Sequence, residues 1–139
     1  MREELHAPNY IDPRQIANGF DIPFRIDVQK VWKLQVPTEV VPIEDLLWIL
    51  DVPFWANEND NITVTANDVL KNPDAYPEHR DRIQNADTSF PLDLMQNKNG
   101  RWMTISGLHR LAQLVMHKRP TARVRKIPPE MVHLTARDE

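Results

Sequence analysis

The 139-residue sequence contains no cysteine. That absence removes disulfides, thiolate metal sites and cysteine nucleophiles together, and it leads us to expect a reducing, cytoplasmic setting. Glycine is almost as scarce, with 3 residues against 12 prolines, so the loops are expected to be stiff. No run approaches the roughly 20 apolar residues of a membrane span, so no membrane partner is expected. The start of the sequence, with Arg2, Glu3 and Glu4, lacks an apolar region, so a signal peptide is not expected. A Walker-type loop, a dinucleotide-binding glycine pattern and a serine-centred elbow are all missing.

Acids are missing from one long stretch. Between Leu94 and Pro129 stand eight basic residues and no Asp or Glu, which leaves nine basic against twenty acidic residues elsewhere. Such segregation fits an anionic partner for the basic segment, or an electrostatic match between two halves of one domain. With a net charge of −3, the chain is a poor general nucleic-acid binder, because that affinity depends on many phosphate contacts.

The length suits one domain with a real core. Residues 1–37 show no clean periodicity and frequent turn signals, and read as an irregular arm that wraps the domain or pairs with a second copy as a homodimer. Phe20, Phe24 and Trp32 are its expected anchors. The domain itself is expected over 38–130, with a tail over 131–139. Glu39–Ile43 reads as a short strand, and Glu44–Leu50 as a helical turn with acids at its start. Thr65 with Asp68 forms a capping-box variant that starts a helix ended by Asn72-Pro73, and Pro77 suits the first position of the next helix.

The C-terminal third is the most legible. Phe90–Met95 and Arg101–Ile105 read as strands joined by the turn Lys98-Asn99-Gly100. Leu108, Leu111, Ala112, Leu114 and Val115 recur at helical spacing, and Pro120 stops that helix. Thr121–Ile127 alternates as a half-exposed strand, with Ala122 and Val124 on one face and Arg123 and Arg125 on the other. Strand, helix and strand in succession predict a crossover between parallel strands. The expected fold class is α/β (α+β), a small mixed sheet with flanking helices.

The junction of strand and helix, Ile105-Ser106-Gly107-Leu108-His109-Arg110, is the expected site. Helix N-termini carry unsatisfied N–H groups and favour acids, yet this first turn holds an imidazole and a guanidinium. Such a turn is suited to an anion. The competing reading is that the Arg pairs with an acid such as Asp93 or Asp51.

Pro91-Leu92-Asp93-Leu94, Asn99-Gly100-Arg101, Ile105–Ala112 and Ala122-Arg123-Val124 together resemble the ParB/sulfiredoxin-like superfamily, and Val40–Leu46 resembles its opening strand and helix. Tyr76–Arg80 is similar to the lead-in of bacterial proteins of this type. The resemblance implies a ParB-like fold and nucleotide chemistry, with ATP or CTP and Mg²⁺ as the implied cofactors and a phosphotransferase or NTPase as the implied activity. It places Ser106, Gly107, Leu108, His109 and Arg110 on phosphate, with Ser106 as cap, and His109, Arg110 and Asp51 in catalysis. Ser106 stands where kinase-like members carry an Asp. Leu108 stands where sulfiredoxins carry their cysteine, so that chemistry is excluded.

Asp51 is otherwise a solvated turn acid, and Asp93 a partner for Arg101 or Arg123. His79 joins an anion pocket or a proton transfer, or else is an exposed helix residue beside Glu78. His6, His117 and His133 have no metal-ligand spacing, so no metal site is expected. Trp48, Phe54, Trp55 and Trp102 serve either as core or as a platform for a base. The alternative function is a non-catalytic module of the same fold whose basic strand (Arg123, Arg125, Lys126) meets DNA or a protein. A nuclease ranks last because its metals need clustered carboxylates.

Overall fold

The computed structural model describes residues 26–97 and 99–138. The expected anchors Phe20 and Phe24, His6 and Lys98 lie outside the described residues. Four strands form one sheet: β1 (Thr38–Pro42), β4 (Leu92–Gln96), β5 (Trp102–Ser106) and β6 (Thr121–Lys126), in the order β1-β6-β4-β5. β6 runs antiparallel to β1 and parallel to β4, and β5 runs antiparallel to β4. The sheet is therefore mixed, in an α+β arrangement.

The expected parallel pair needs correction. β5 and β6 flank the helix between them in sequence, but they are not neighbours and run in opposite directions. The tight turn after β4 sends β5 back as a hairpin. The helix then returns the chain beside β4, so β4 and β6 are the parallel partners.

That turn is built by Asn97, whose side-chain oxygen accepts from the N–H groups of Asn99 and Arg101, each at 3.0 Å, while Gly100 supplies the left-handed residue at φ +79°. Four consecutive residues of β4, Leu92 to Met95, are buried, so both faces of the sheet are covered.

Helix α4 (Leu108–Met116) begins against Leu92 on one face. The other face is closed by α1 (Val28–Lys33), a helix within the segment expected to be an irregular arm. Asp27 caps α1 by accepting from Gln29 N–H at 2.9 Å. The expected tail is also structured. Pro129–Thr135 forms a 3₁₀ helix, and Ile26 and Ala136 share an antiparallel bridge.

Ile43–Asp51 is a nine-residue 3₁₀ helix, long for its type. Its buried side chains explain it, because Ile43, Leu46 and Ile49 recur every third residue. At three residues per turn they form one ridge. A ribbon of β2 (Trp55–Ala56) and β3 (Ile62–Val64) follows, then α2 (Ala66–Lys71) and α3 (Pro77–Gln84). The capping box at Thr65 and Asp68 is present, as is the proline at the start of α3. Among the described residues no helix is long and apolar enough to cross a membrane.

Candidate functional site

Gly107 sits between β5 and α4 with φ +106°, a conformation that side chains rarely adopt. It is the N-cap of α4, a position the sequence reading gave to Ser106; the side chain of Ser106 is not described. A glycine cap offers no side chain to the first-turn N–H groups, and the turn contains no acid.

Arg110 fills the space beneath this start. Its side chain is buried at 1 % exposure and Nη1 donates to the Pro91 carbonyl at 2.5 Å. A Cβ on Gly107 would lie 3.3 Å from the guanidinium carbon and 2.9 Å from Leu92. The guanidinium thus ties the helix to the chain entering β4 and places positive charge directly under the first turn. Its field reaches Asp87, whose carboxyl is held below its usual range chiefly by Ser89 and secondarily by Arg110. The acids that the sequence offered to Arg110, Asp51 and Asp93, are engaged elsewhere.

Asp93 is fully buried and meets Arg125 Nη1 at 2.9 Å, and Arg125 Nη2 donates to the carbonyls of Leu34 at 2.5 Å and Val31 at 3.3 Å. Arg125 was expected on an exposed basic face. It is buried because α1 ends over the sheet there and presents carbonyls that only a donor can satisfy. Arg123 donates to the Ser89 carbonyl, and Lys126 pairs with Glu39 at 3.2 Å. Asp51 is exposed and accepts from Asn67 Nδ2 at 2.6 Å.

His109 meets His79, offered by the sequence to an anion pocket or a proton transfer, and Trp55, offered to the core or to a base. Its Nε2 lies 3.3 Å from His79 Nδ1, and both rings stack on Trp55, with centroids 4.3 and 4.6 Å from the indole at tilts of 11° and 10°. The imidazole centroids are 5.6 Å apart. A sandwich about the indole would separate them by about 7 Å, so the two rings lie side by side on one indole face. Trp55 is therefore core, at 7 % exposure, and its face is covered by histidines rather than open to a base.

Two further tryptophans, Trp48 and Trp102, meet cations. Arg101 sits 3.8 Å over Trp48, and Lys126 lies 5.3 Å from the Trp102 centroid.

Gln113 sets the register of this pair. Its buried Nε2 reaches the carbonyls of Ile83 at 2.9 Å, Gln84 at 3.2 Å and Ala86 at 2.9 Å, satisfying the end of α3. Gln113 is one turn beyond His109, and Ile83 one turn beyond His79. Both pairs share a separation of 30 residues, so α3 and α4 lie side by side and run in the same direction. The signal for this was present only in hindsight: two helices of matched spacing, each with a histidine one turn from a buried partner.

The hydrogen bonds fix the proton positions. His79 Nε2 faces the Ala56 carbonyl at 3.3 Å, which can only accept, so Nε2 carries the proton. Its Nδ1 then accepts from His109 Nε2–H, and His109 Nδ1 holds the remaining lone pair. Burial pushes the His109 pKa down to about 3, helped by the charges of His79, Arg82 and Arg110. Burial also lowers His79, against the Ala56 hydrogen bond and Glu78, which favour its charged form. Both rings are neutral at pH 7.

Among the described residues no cluster of three His, Asp or Glu side chains is placed to hold a metal ion. Comparison with protein-family models, with curated proteins and with solved structures finds no match to the chain.

Proposed function

We propose that the chain is a phosphate-recognising domain of the ParB/sulfiredoxin-like type, taking a nucleotide such as ATP or CTP, or another phosphate-bearing ligand, at the N-terminus of α4. The observation that carries this reading is the left-handed glycine cap over a first turn with no acid and a guanidinium beneath it. First-turn N–H groups, a positive helix end and a guanidinium beside it all favour an anion. Leu108, His109 and Arg110 would contribute through their backbone N–H groups, and Gly107 through the close approach it permits. Arg110 adds charge from below rather than a direct clamp.

A protein-held Mg²⁺ does not fit. That ion prefers oxygen donors, and the turn presents nitrogen; any Mg²⁺ would arrive with the ligand's own phosphates. A cytoplasmic setting belongs to the same proposal, supported by the cysteine-free sequence.

Isothermal titration with ATP, ADP and CTP, with and without Mg²⁺, tests the reading. The expected result is saturable heat accompanied by amide shifts confined to residues 107–110. No heat with any of them sinks it.

A second reading, a non-catalytic module of the same fold, draws on Arg110 and Ser106. A guanidinium committed to a backbone carbonyl serves the fold first, and Ser106 offers no carboxylate. Binding without turnover of ATP or CTP would favour this module, and hydrolysis switched on by Ser106→Asp would show lost catalysis as its origin. Its DNA form loses support, since Arg125 is buried and Lys126 is paired.

A further inference from the structure

We infer that His79 and His109 act as one proton-accepting relay, in which His109 Nδ1 receives a proton at the mouth of the phosphate site and His79 stores the resulting charge. The inference rests on the anion site proposed above for its ligand, but the relay itself stands on the two ring contacts and the Ala56 carbonyl. In the neutral pair the order is fixed. His79 Nε2–H donates to Ala56, His109 Nε2–H donates to His79 Nδ1, and His109 Nδ1 is unprotonated.

A proton arriving at His109 Nδ1 need not leave its charge there. The Nε2 proton of His109 can pass to His79 Nδ1 along the same 3.3 Å contact. The products are a His79 imidazolium, still donating to Ala56, and a neutral His109 that now carries its proton on Nδ1. One proton enters, one shifts, and no other bond changes.

The charge prefers His79 for reasons visible around it. Burial and Arg82 oppose charge on both rings, but the Ala56 carbonyl and Glu78 favour it on His79, whereas Arg110 adds to the opposition at His109. The charged groups acting on the pair are Glu78 and Arg82 on α3 and Arg110 on α4. β2 contributes Trp55 and the Ala56 carbonyl, neither of which titrates. The neighbouring α2 carries Asp68 within its own cap and an exposed Lys71.

The transfer reverses what His109 offers. Before it, Nδ1 is an acceptor; after it, Nδ1–H is a donor suited to a phosphate oxygen. An anion at the first turn therefore draws a proton into the pair, so phosphate binding is coupled to proton uptake. The ligand class is one with a phosphate oxygen within reach of His109, and the binding strengthens as the pH falls toward 6.

Histidine ring ¹⁵N spectra of the full chain, recorded from pH 7.5 to 5 with and without inorganic phosphate, test the relay. The expected spectrum at pH 7.5 shows His109 protonated on Nε2 alone. On acidification His79 becomes doubly protonated while His109 moves to the Nδ1–H form. A His109 that is Nδ1–H at pH 7.5, or that becomes the imidazolium first, overturns the inference.

Titration of inorganic phosphate in buffers of different ionisation enthalpy supplies the second arm. About one proton should be taken up per phosphate near pH 6, and this should fall toward zero in His79→Gln, which keeps an acceptor for His109 Nε2–H but stores no proton. Uptake unchanged in that variant overturns the relay. No phosphate heat at all overturns the anion site, and the ring spectra then decide the relay by themselves.

Discussion

The charged form of His109 is disfavoured on folding because its ring packs against Trp55 and His79 and loses most of its water, with Arg82 and Arg110 adding repulsion. Its pKa falls from 6.5 to about 3. A histidine depressed in this way is neutral in the folded chain over a range where the unfolded chain is already protonated. Its contribution to stability is therefore complete above about pH 6.5, and is lost as the pH falls from there toward 3. The limiting slope is about 1.4 kcal/mol per pH unit for one proton. His79 adds in the same direction. Urea unfolding at pH 7, 5.5 and 4 should show wild type losing its advantage over His109→Gln as the pH drops, since Gln cannot titrate. A gap between the two that stays constant with pH would contradict the burial of the neutral ring.

At the scale of elements, the start of α4 depends on one backbone conformation. Gly107→Ala places a methyl 2.9 Å from Leu92 Cδ2 and 3.3 Å from Arg110 Cζ, at φ +106°. The leucine tip can move, but the strained φ stays, so the substitution should cost about 1–3 kcal/mol in chemical denaturation. It should also weaken phosphate binding at conditions where the variant is folded, because the turn can no longer be approached closely. A variant as stable as wild type would show that the left-handed cap is dispensable.

The local rules that mark elements were readable in advance. Thr65 with Asp68, Pro77 and the Asn97–Gly100 turn all carry their geometry in side-chain chemistry within four residues. The 3₁₀ helix was readable in its location but not in its type, because a spacing of three over so short a run also suits an α-helix. What escaped was which particular side chains meet across the sequence. Trp55, His79 and His109 lie on three elements, joined by the docking of α3 through Gln113 and by the His79–Ala56 contact. Short α1 was hidden because its stability comes from covering the sheet rather than from its own propensity.

Across the whole molecule the acidic and basic portions of the chain meet inside the fold, and Arg125 is where they meet most deeply. One guanidinium joins β6 to Asp93 of β4 and to the carbonyls at the end of α1. The first and last described segments close over the same region, through the Ile26–Ala136 bridge and Lys30, which donates to the Ala136 carbonyl and pairs with Asp138 at 2.8 Å. Surface pairs like Lys30–Asp138 contribute little, at most about 1 kcal/mol. The buried pair behaves differently, because removing one partner leaves a charge or a row of carbonyls in a dry interior. Arg125→Met should therefore cost about 3–5 kcal/mol. Adding Asp93→Leu should recover part of that loss, since the second change removes the buried carboxylate that Arg125 neutralised. The α1 carbonyls stay unsatisfied in both variants, so recovery should be incomplete, and hydrogen exchange should show 28–33 opening ahead of the sheet. If Arg125→Met lowers stability by less than about 1 kcal/mol, the guanidinium does not hold α1, and the covering of that face must come from Val28 and Val31 alone.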